Sequence, residues 1–190
     1  MTTSAPPSPP SPRPAHTTAG VIVAAGQGLR AGQALPKQFA LWRGQPVVRH
    51  SVAAMAAAGI APIIVAIPPG AEQIAAAALL DVPGVRLVTG GATRQDSVRL
   101  ALEALVADGP DRVLIHDAAR PVLPLAVLER LSRALDQGAA AIPVLAVVDS
   151  LAQAYGTVMG APAPREQLRR VQTPQAFHFA AILADRKSVV

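Results

Sequence analysis

Cysteine is absent from the 190 residues. That excludes disulfides, thiolate nucleophiles and Cys-built zinc or iron–sulfur centres. The four histidines (His16, His50, His116 and His178) show no HxxxH or HxH spacing, so a His-built metal site is not expected. Aromatic residues make up 3% of the chain, too few and too scattered to form the stacking platforms that bind single-stranded nucleic acid. Lysine is nearly missing: Lys37 and Lys187 stand among 17 basic residues. Acidic residues are missing before Glu72, whereas Arg13, Arg30, Lys37, Arg43 and Arg49 precede it, so the whole net charge of +5 arises in this first part. Positive charge confined in this way favours a small anionic ligand over nucleic acid.

A long apolar run is also lacking. Residues 51–71 carry no charge, but Gly59, Pro62, Pro68 and Pro69 divide them into a helix, a turn and a buried strand. The N-terminus is polar and proline-rich where a secretory signal would be apolar. A cytoplasmic protein without a membrane partner is expected. The apolar content of 51% and the length suit one domain with a real core.

Residues 1–17 (Pro, Ser, Thr and Ala with one arginine) cannot bury enough surface to offset their ordering entropy, and a disordered tail is predicted there. Residues 18–190 form the domain. Apolar runs predict strands at 18–25, 61–67, 85–88, 112–116 and 139–147. Between them fall helices at 47–58, 71–80, 93–107 and 125–137. Thr93 with Asp96 three residues later has the spacing of a capping box. Strands that are continuous apolar runs, alternating with helices, predict an α/β fold with a doubly wound, mostly parallel sheet. Ligands of such sheets bind beyond the carboxyl ends of the strands, which selects the loops starting at Ala24, Thr89, His116 and Val148.

The first strand runs into Ala24-Ala25-Gly26-Gln27-Gly28-Leu29-Arg30-Ala31-Gly32. Glycines here let backbone N–H groups approach a phosphate without an intervening Cβ. An ordinary strand-to-helix turn accounts for the loop equally well. A dinucleotide fingerprint also fits loosely, but the acidic residue expected about twenty positions on is missing and Pro36 breaks the following helix. Seven residues after Arg30 comes Lys37, a compact cation able to meet a phosphoryl oxygen as a point charge. His116-Asp117-Ala118-Ala119-Arg120-Pro121 follows a buried strand. Its Asp–Arg pair reads equally as a loop salt bridge, and His116 as a packed strand-end residue rather than an acid or base.

The segments VIVAAGQGLRAG…PKQF, GGATRQDSVRLAL, VLIHDAARP and VQTPQAF resemble, in order and spacing, the 2-C-methyl-D-erythritol 4-phosphate cytidylyltransferases of the non-mevalonate isoprenoid pathway. The opening loop with PKQ is shared with sugar-phosphate nucleotidyltransferases generally; RQDSV, HDAARP and QTPQ are the specific part. The resemblance implies a Rossmann-like nucleotidyltransferase fold and cytidylyl transfer from CTP to the polyol phosphate, with Mg²⁺ and release of pyrophosphate. It implies that Arg30 and Lys37 stabilise the transition state and that Ala24, Ala25 and Gly26 hold the nucleotide. Gly91, Ala92 and Ser97 would read cytosine, and Asp117 and Ala118 would lie at the nucleotide, Asp117 touching the metal through water. Arg120, Ser150, Arg165 and Thr173 would face the substrate. Arg165 would do so from a neighbouring subunit, on a projecting dimerisation arm at about 148–170, so the resemblance also implies a homodimer.

Lys187 to Val190 do not match the family's continuation. A C-terminally incomplete, weakly active and less stable chain is expected on that ground, with one sheet edge uncovered. Some family members are fused to a zinc-dependent cyclodiphosphate synthase. Two other readings compete: a cytidylyltransferase for another polyol phosphate such as ribitol 5-phosphate, and a nucleotide-binding fragment without turnover.

Overall fold

The computed structural model describes residues 16–26 and 36–185. In chain order the elements are β1 (Thr18–Val23), β2 (Leu41–Trp42), β3 (Gln45–Pro46), α1 (Val47–Ala57), β4 (Ile63–Ile67), α2 (Glu72–Ala78), β5 (Val85–Thr89), α3 (Arg94–Glu103), β6 (Arg112–Asp117), α4 (Leu125–Leu135), β7 (Ala140–Ala141), β8 (Val144–Ala146), β9 (Ala152–Tyr155), β10 (Val158–Pro162), β11 (Arg169–Val171), β12 (Gln175–His178) and α5 (Phe179–Ala184). The main sheet has the order β5-β4-β1-β6-β12-β7. Its first four strands are parallel, while β12 and β7 add an antiparallel edge.

Alternation along the strands divides the core in two. Ile22, Ile63, Val65, Ile67 and Leu114 face α1, α2 and α4 through Val52, Met55, Ala75 and Leu131. Val21, Ile64, Val113 and Ile115 face α3 and α5 through Val98, Leu102, Phe179 and Ile182. Both faces of β1, β4 and β6 are therefore buried, as their apolar runs require, whereas β5 at the sheet edge is only partly covered. Gly20 has no room for a side chain, since a Cβ there would stand 2.9 Å from the Met55 sulfur.

The chain winds from β1 through β4 to β5 on one side, then crosses to β6 on the other side of β1. The crevice between the ends of β1 and β6 is thus the topological switch point, where such sheets bind ligands. Among the described residues no helix is long and apolar enough to cross a membrane.

Several expectations need correction. The strand predicted at 139–147 is two strands in different sheets, because Pro143 cannot donate to a ladder and the chain changes partner there. The strand β7 stays at the edge of the main sheet, whereas β8 pairs antiparallel with β11. The short strands β2, β3, β9, β10 and β11 went unpredicted, as did β12, which lies beside β6, and α5, which follows it directly. Thr17, placed by composition in the tail, donates through its N–H and hydroxyl to Asp111, each at 2.8 Å. Residues 1–15 of the predicted tail lie outside the described residues.

Residues 144–171 form two small ladders, β8 with β11 and the β9–β10 hairpin. Nearly every residue in these strands is exposed. At Gly160 the exposed Tyr155 ring packs over the backbone, 2.3 Å from where a Cβ would stand, so a side chain there would push the ring aside.

Candidate active site

A cleft of about 900 Å³ opens at the switch point. Its walls come from the ends of three parallel strands: Ala24 to Gly26 after β1, Gly90 to Arg94 after β5, and Asp117 to Arg120 at and after β6. Lys37, Gln38 and Pro69 complete it. Of the residues named from the sequence, Ala24, Ala25, Gly26, Lys37, Gly91, Ala92, Ser97, Asp117, Ala118 and Arg120 all line this one cleft. Arg30 lies outside the described residues.

The loop after β1 is held by a residue that the sequence did not single out. Gln38, on the short 3-10 turn Lys37–Phe39, is 3% exposed, and its Nε2 donates to the carbonyls of Ala24 at 2.6 Å and Gly26 at 2.9 Å. The neighbouring Lys37 is exposed on the cleft side. One turn thus fixes the glycine loop and presents a cation beside it. The signal for Gln38 was present in the PKQ triplet, but only the fold shows what its amide reaches.

The second wall is built on close approach. A Cβ on Gly90 would lie 2.4 Å from the Ala25 Cβ, and one on Gly91 would lie 2.2 Å from the Asp96 Cβ. Only glycine lets the loops after β1 and β5 meet in this way. The capping box forms as expected: Asp96 N–H donates to the Thr93 hydroxyl oxygen at 3.0 Å, and Thr93 N–H donates to the Asp96 carboxylate at 3.1 Å. The Thr93 hydroxyl and then its N–H hold the Asp96 carboxyl below its ordinary pKa. Ser97, named as a cytosine contact, is buried. It accepts from Gly91 N–H at 3.1 Å and donates to the Thr93 carbonyl at 2.9 Å. With its only proton committed, Ser97 shapes the loop, and it faces a ligand only as an acceptor.

Asp117 is half-buried at the end of β6. Its carboxylate accepts from Arg94 Nε at 3.0 Å, and Arg120 Nε lies 3.7 Å from the other oxygen. Arg94 is likewise unmarked in the sequence, because its partner lies 23 residues away. The cleft therefore holds Lys37, Arg94 and Arg120 against one carboxylate, a balance that selects an anion. Among the described residues no group of three or more His, Cys, Asp or Glu side chains gathers to hold a metal. A single strand-end carboxylate does not make a resident metal cage. It does suit a Mg²⁺ that arrives on a polyphosphate, keeps most of its waters and takes one carboxylate.

His116 is fully buried behind this wall, and burial holds its imidazole below its ordinary pKa, which leaves the ring neutral near pH 7. Thr173 lies behind Asp117, its hydroxyl accepting from Asp117 N–H at 3.3 Å, and it does not line the cleft. Ser150 and Arg165 do not line it either. Arg165 Nη1 donates to the Val148 carbonyl at 3.0 Å, within the exposed ladders. The loop starting at Val148 misses the cleft because β8 has left the main sheet, so its end is not a carboxyl end of that sheet.

Comparison with known proteins agrees with this geometry. The family model of IspD, 2-C-methyl-D-erythritol 4-phosphate cytidylyltransferase, matches residues 18–188. A protein of Novosphingobium aromaticivorans named bifunctional enzyme IspD/IspF is 58% identical over 175 residues, covering 92% of this chain and 45% of that one. The chain thus spans about half the length of such bifunctional relatives. A 2-C-methyl-D-erythritol 4-phosphate cytidylyltransferase of Cereibacter sphaeroides is 45% identical over 178 residues, covering 90% of this chain and 77% of that one. The crystal structure of the Thermus thermophilus enzyme of that name superposes with a TM-score of 0.71 at 36% identity, covering 87% of this chain and 73% of that one. The chain belongs to the 2-C-methyl-D-erythritol 4-phosphate cytidylyltransferase family.

Proposed function

We propose that this protein transfers the cytidylyl group of CTP to 2-C-methyl-D-erythritol 4-phosphate and releases pyrophosphate. One observation carries the reading beyond family membership: a switch-point cleft with three cations set against one carboxylate, formed by the family's own motifs. An oxygen of the substrate phosphate bonds to the α-phosphorus while the bond from the α-phosphorus to the bridging oxygen breaks. A phosphate monoester is already largely ionised near pH 7, so no protein base is required. The protein's task is to position the two anions in line and to neutralise charge at the α-phosphoryl group. Lys37 and Arg30 take that role, with Gln38 fixing the loop beneath the nucleotide. The backbone around Gly91 and Ala92 reads cytosine, whose amino group suits a carbonyl acceptor. Arg120 faces the substrate phosphate. Mg²⁺ bound to the triphosphate, with Asp117 holding it through water, would neutralise the departing pyrophosphate.

The protein acts as a homodimer in this reading. Nine of the exposed large apolar residues, among them Tyr155, Val158 and Met159, lie in 144–171, and Arg165 stands in the same segment away from its own cleft. A second copy covering this arm would bring Arg165, and Ser150 with it, toward the partner's substrate.

The test is pyrophosphate release by the full-length gene product with Mg²⁺ and methylerythritol phosphate, against each of the four nucleoside triphosphates. Release with CTP alone is expected. Release only when ribitol 5-phosphate replaces the substrate would transfer the assignment to that polyol, and CTP binding without any release would make the protein a binding module.

A further inference from the structure

His116 is buried completely, yet both its ring nitrogens are engaged, and their partners belong to two loops far apart in sequence. Nε2 lies 2.9 Å from the carbonyl of Arg120, and Nδ1 lies 3.0 Å from the hydroxyl of Thr173. A carbonyl only accepts, so Nε2 carries the proton and Nδ1 accepts from Thr173. The Thr173 oxygen in turn accepts from Asp117 N–H at 3.3 Å. The Arg120 carbonyl also accepts from the Ser51 hydroxyl of α1 at 3.2 Å. Each bond in this chain then runs in one direction only, and the imidazole joins the Arg120 carbonyl to the Thr173 hydroxyl, beside the direct bond from Asp117 N–H. The guanidinium of Arg120 closes the same gap on the outside by donating to the Gln172 side-chain oxygen.

We infer that His116 is a positioning residue for the polyol phosphate, setting the distance between Arg120 after β6 and Thr173 before β12. The inference rests on the proposed function, which puts Arg120 on the substrate side; Thr173 is the support behind the wall that the ring ties to it. A leucine would fill the same buried volume, so packing alone does not require an imidazole. The ring spans the two loops with a donor at one end and an acceptor at the other. Its influence on CTP is smaller, because the nucleotide-side loops of Gly26 and Gly91 are held by Gln38 and Ser97 instead.

Two conservative variants separate the two halves of the bridge. His116→Gln keeps a donor toward the Arg120 carbonyl and loses the Thr173 bond; His116→Asn keeps an acceptor toward Thr173 and loses the Arg120 bond. Wild-type turnover is measured first. If CTP and methylerythritol phosphate yield no pyrophosphate, the proposed function fails before His116 is tested. Given turnover, each variant is expected to raise the KM for methylerythritol phosphate about tenfold, the scale of a sub-ångström misplacement, while the KM for CTP changes less than about twofold. His116→Leu should lose both bonds and exceed either. On a Thr173→Val background, His116→Gln should cost nothing further, because the bond it removes is already gone. Thermal melting of each variant separates loss of fold from loss of position. Equal rises in both KM values, an unchanged KM for the polyol phosphate in a folded variant, or additive effects of His116→Gln and Thr173→Val would each overturn the inference.

Discussion

The strands β1, β4 and β6 and the arm at 144–171 both carry many aliphatic residues and have opposite fates. Ile63 to Ile67 and Val113 to Ile115 are at most 4% exposed, whereas Tyr155, Val158 and Met159 are 65%, 66% and 80% exposed. Both contain Val, Leu and Ala, so the presence of apolar side chains does not by itself decide their fate. Topology does. A central parallel strand has a neighbour on each edge and a helix on each face, whereas a two-stranded ladder has one neighbour and no layer above it. The first region stabilises itself. The second leaves large apolar side chains exposed, and exposed patches of that kind mark interaction sites.

Substitutions in the two regions should therefore differ in what they damage. The largest effect is expected in the self-sufficient part. Ile115→Ala removes a fully buried side chain between β6 and the α3–α5 layer, and should cost about 2–5 kcal/mol by chemical denaturation. A loss under about 1 kcal/mol would mean that this layer is looser than its burial indicates.

Lys37→Ala probes what the stable sheet carries at its rim. On the proposed role of Lys37 in the transition state, its removal should lower kcat about 10²–10³-fold and leave CTP affinity within a few-fold. A change confined to KM would make Lys37 a ground-state contact. In the arm, Met159→Glu should leave helical and sheet content unchanged while lowering dimer affinity at least about tenfold, seen by sedimentation velocity over a dilution series. A wild-type protein that sediments as a monomer throughout would remove the arm's proposed role.

The smallest effects belong to local bonds in neither core nor arm. Thr93→Ala deletes the cap of α3 and should cost about 1 kcal/mol. The Asp96 and Asp111 carboxyls are both held below their ordinary pKa, the first by the Thr93 hydroxyl and N–H, the second by the N–H and hydroxyl of Thr17. Each favours the folded state above the ordinary carboxylate range, and that contribution disappears as the pH falls through the lowered values. Melting temperature should therefore decline with acid below that range, and less steeply in Thr93→Ala. Identical pH profiles for the two proteins would dissociate Asp96 from the cap.

The difference between core and arm also explains what was legible in the residues alone. The buried parallel strands stand out as unbroken apolar runs, and the capping box of α3 as a threonine and an aspartate three apart. Both signals are local. The strand predicted through Pro143 failed because its apolar run continues across a change of sheet, which periodicity does not register. The α3–α5 layer was half-visible, since α5 is only six residues long and its apolar face depends on β12 lying beside β6.

By itself the sequence determined an α/β fold, the glycine loops and two of the cleft's cations, Lys37 and Arg120, because helix caps, apolar runs and close-approach glycines act within a few residues. Only the tertiary structure decided the partnerships. Gln38 reaches carbonyls 14 and 12 residues back, Arg94 meets Asp117 across 23 residues, and His116 meets Thr173 across 57. These contacts depend on strand order rather than on neighbouring residues. Strand order follows from how the two apolar faces of one sheet can all be buried at once, a condition that belongs to the whole chain and to no segment of it.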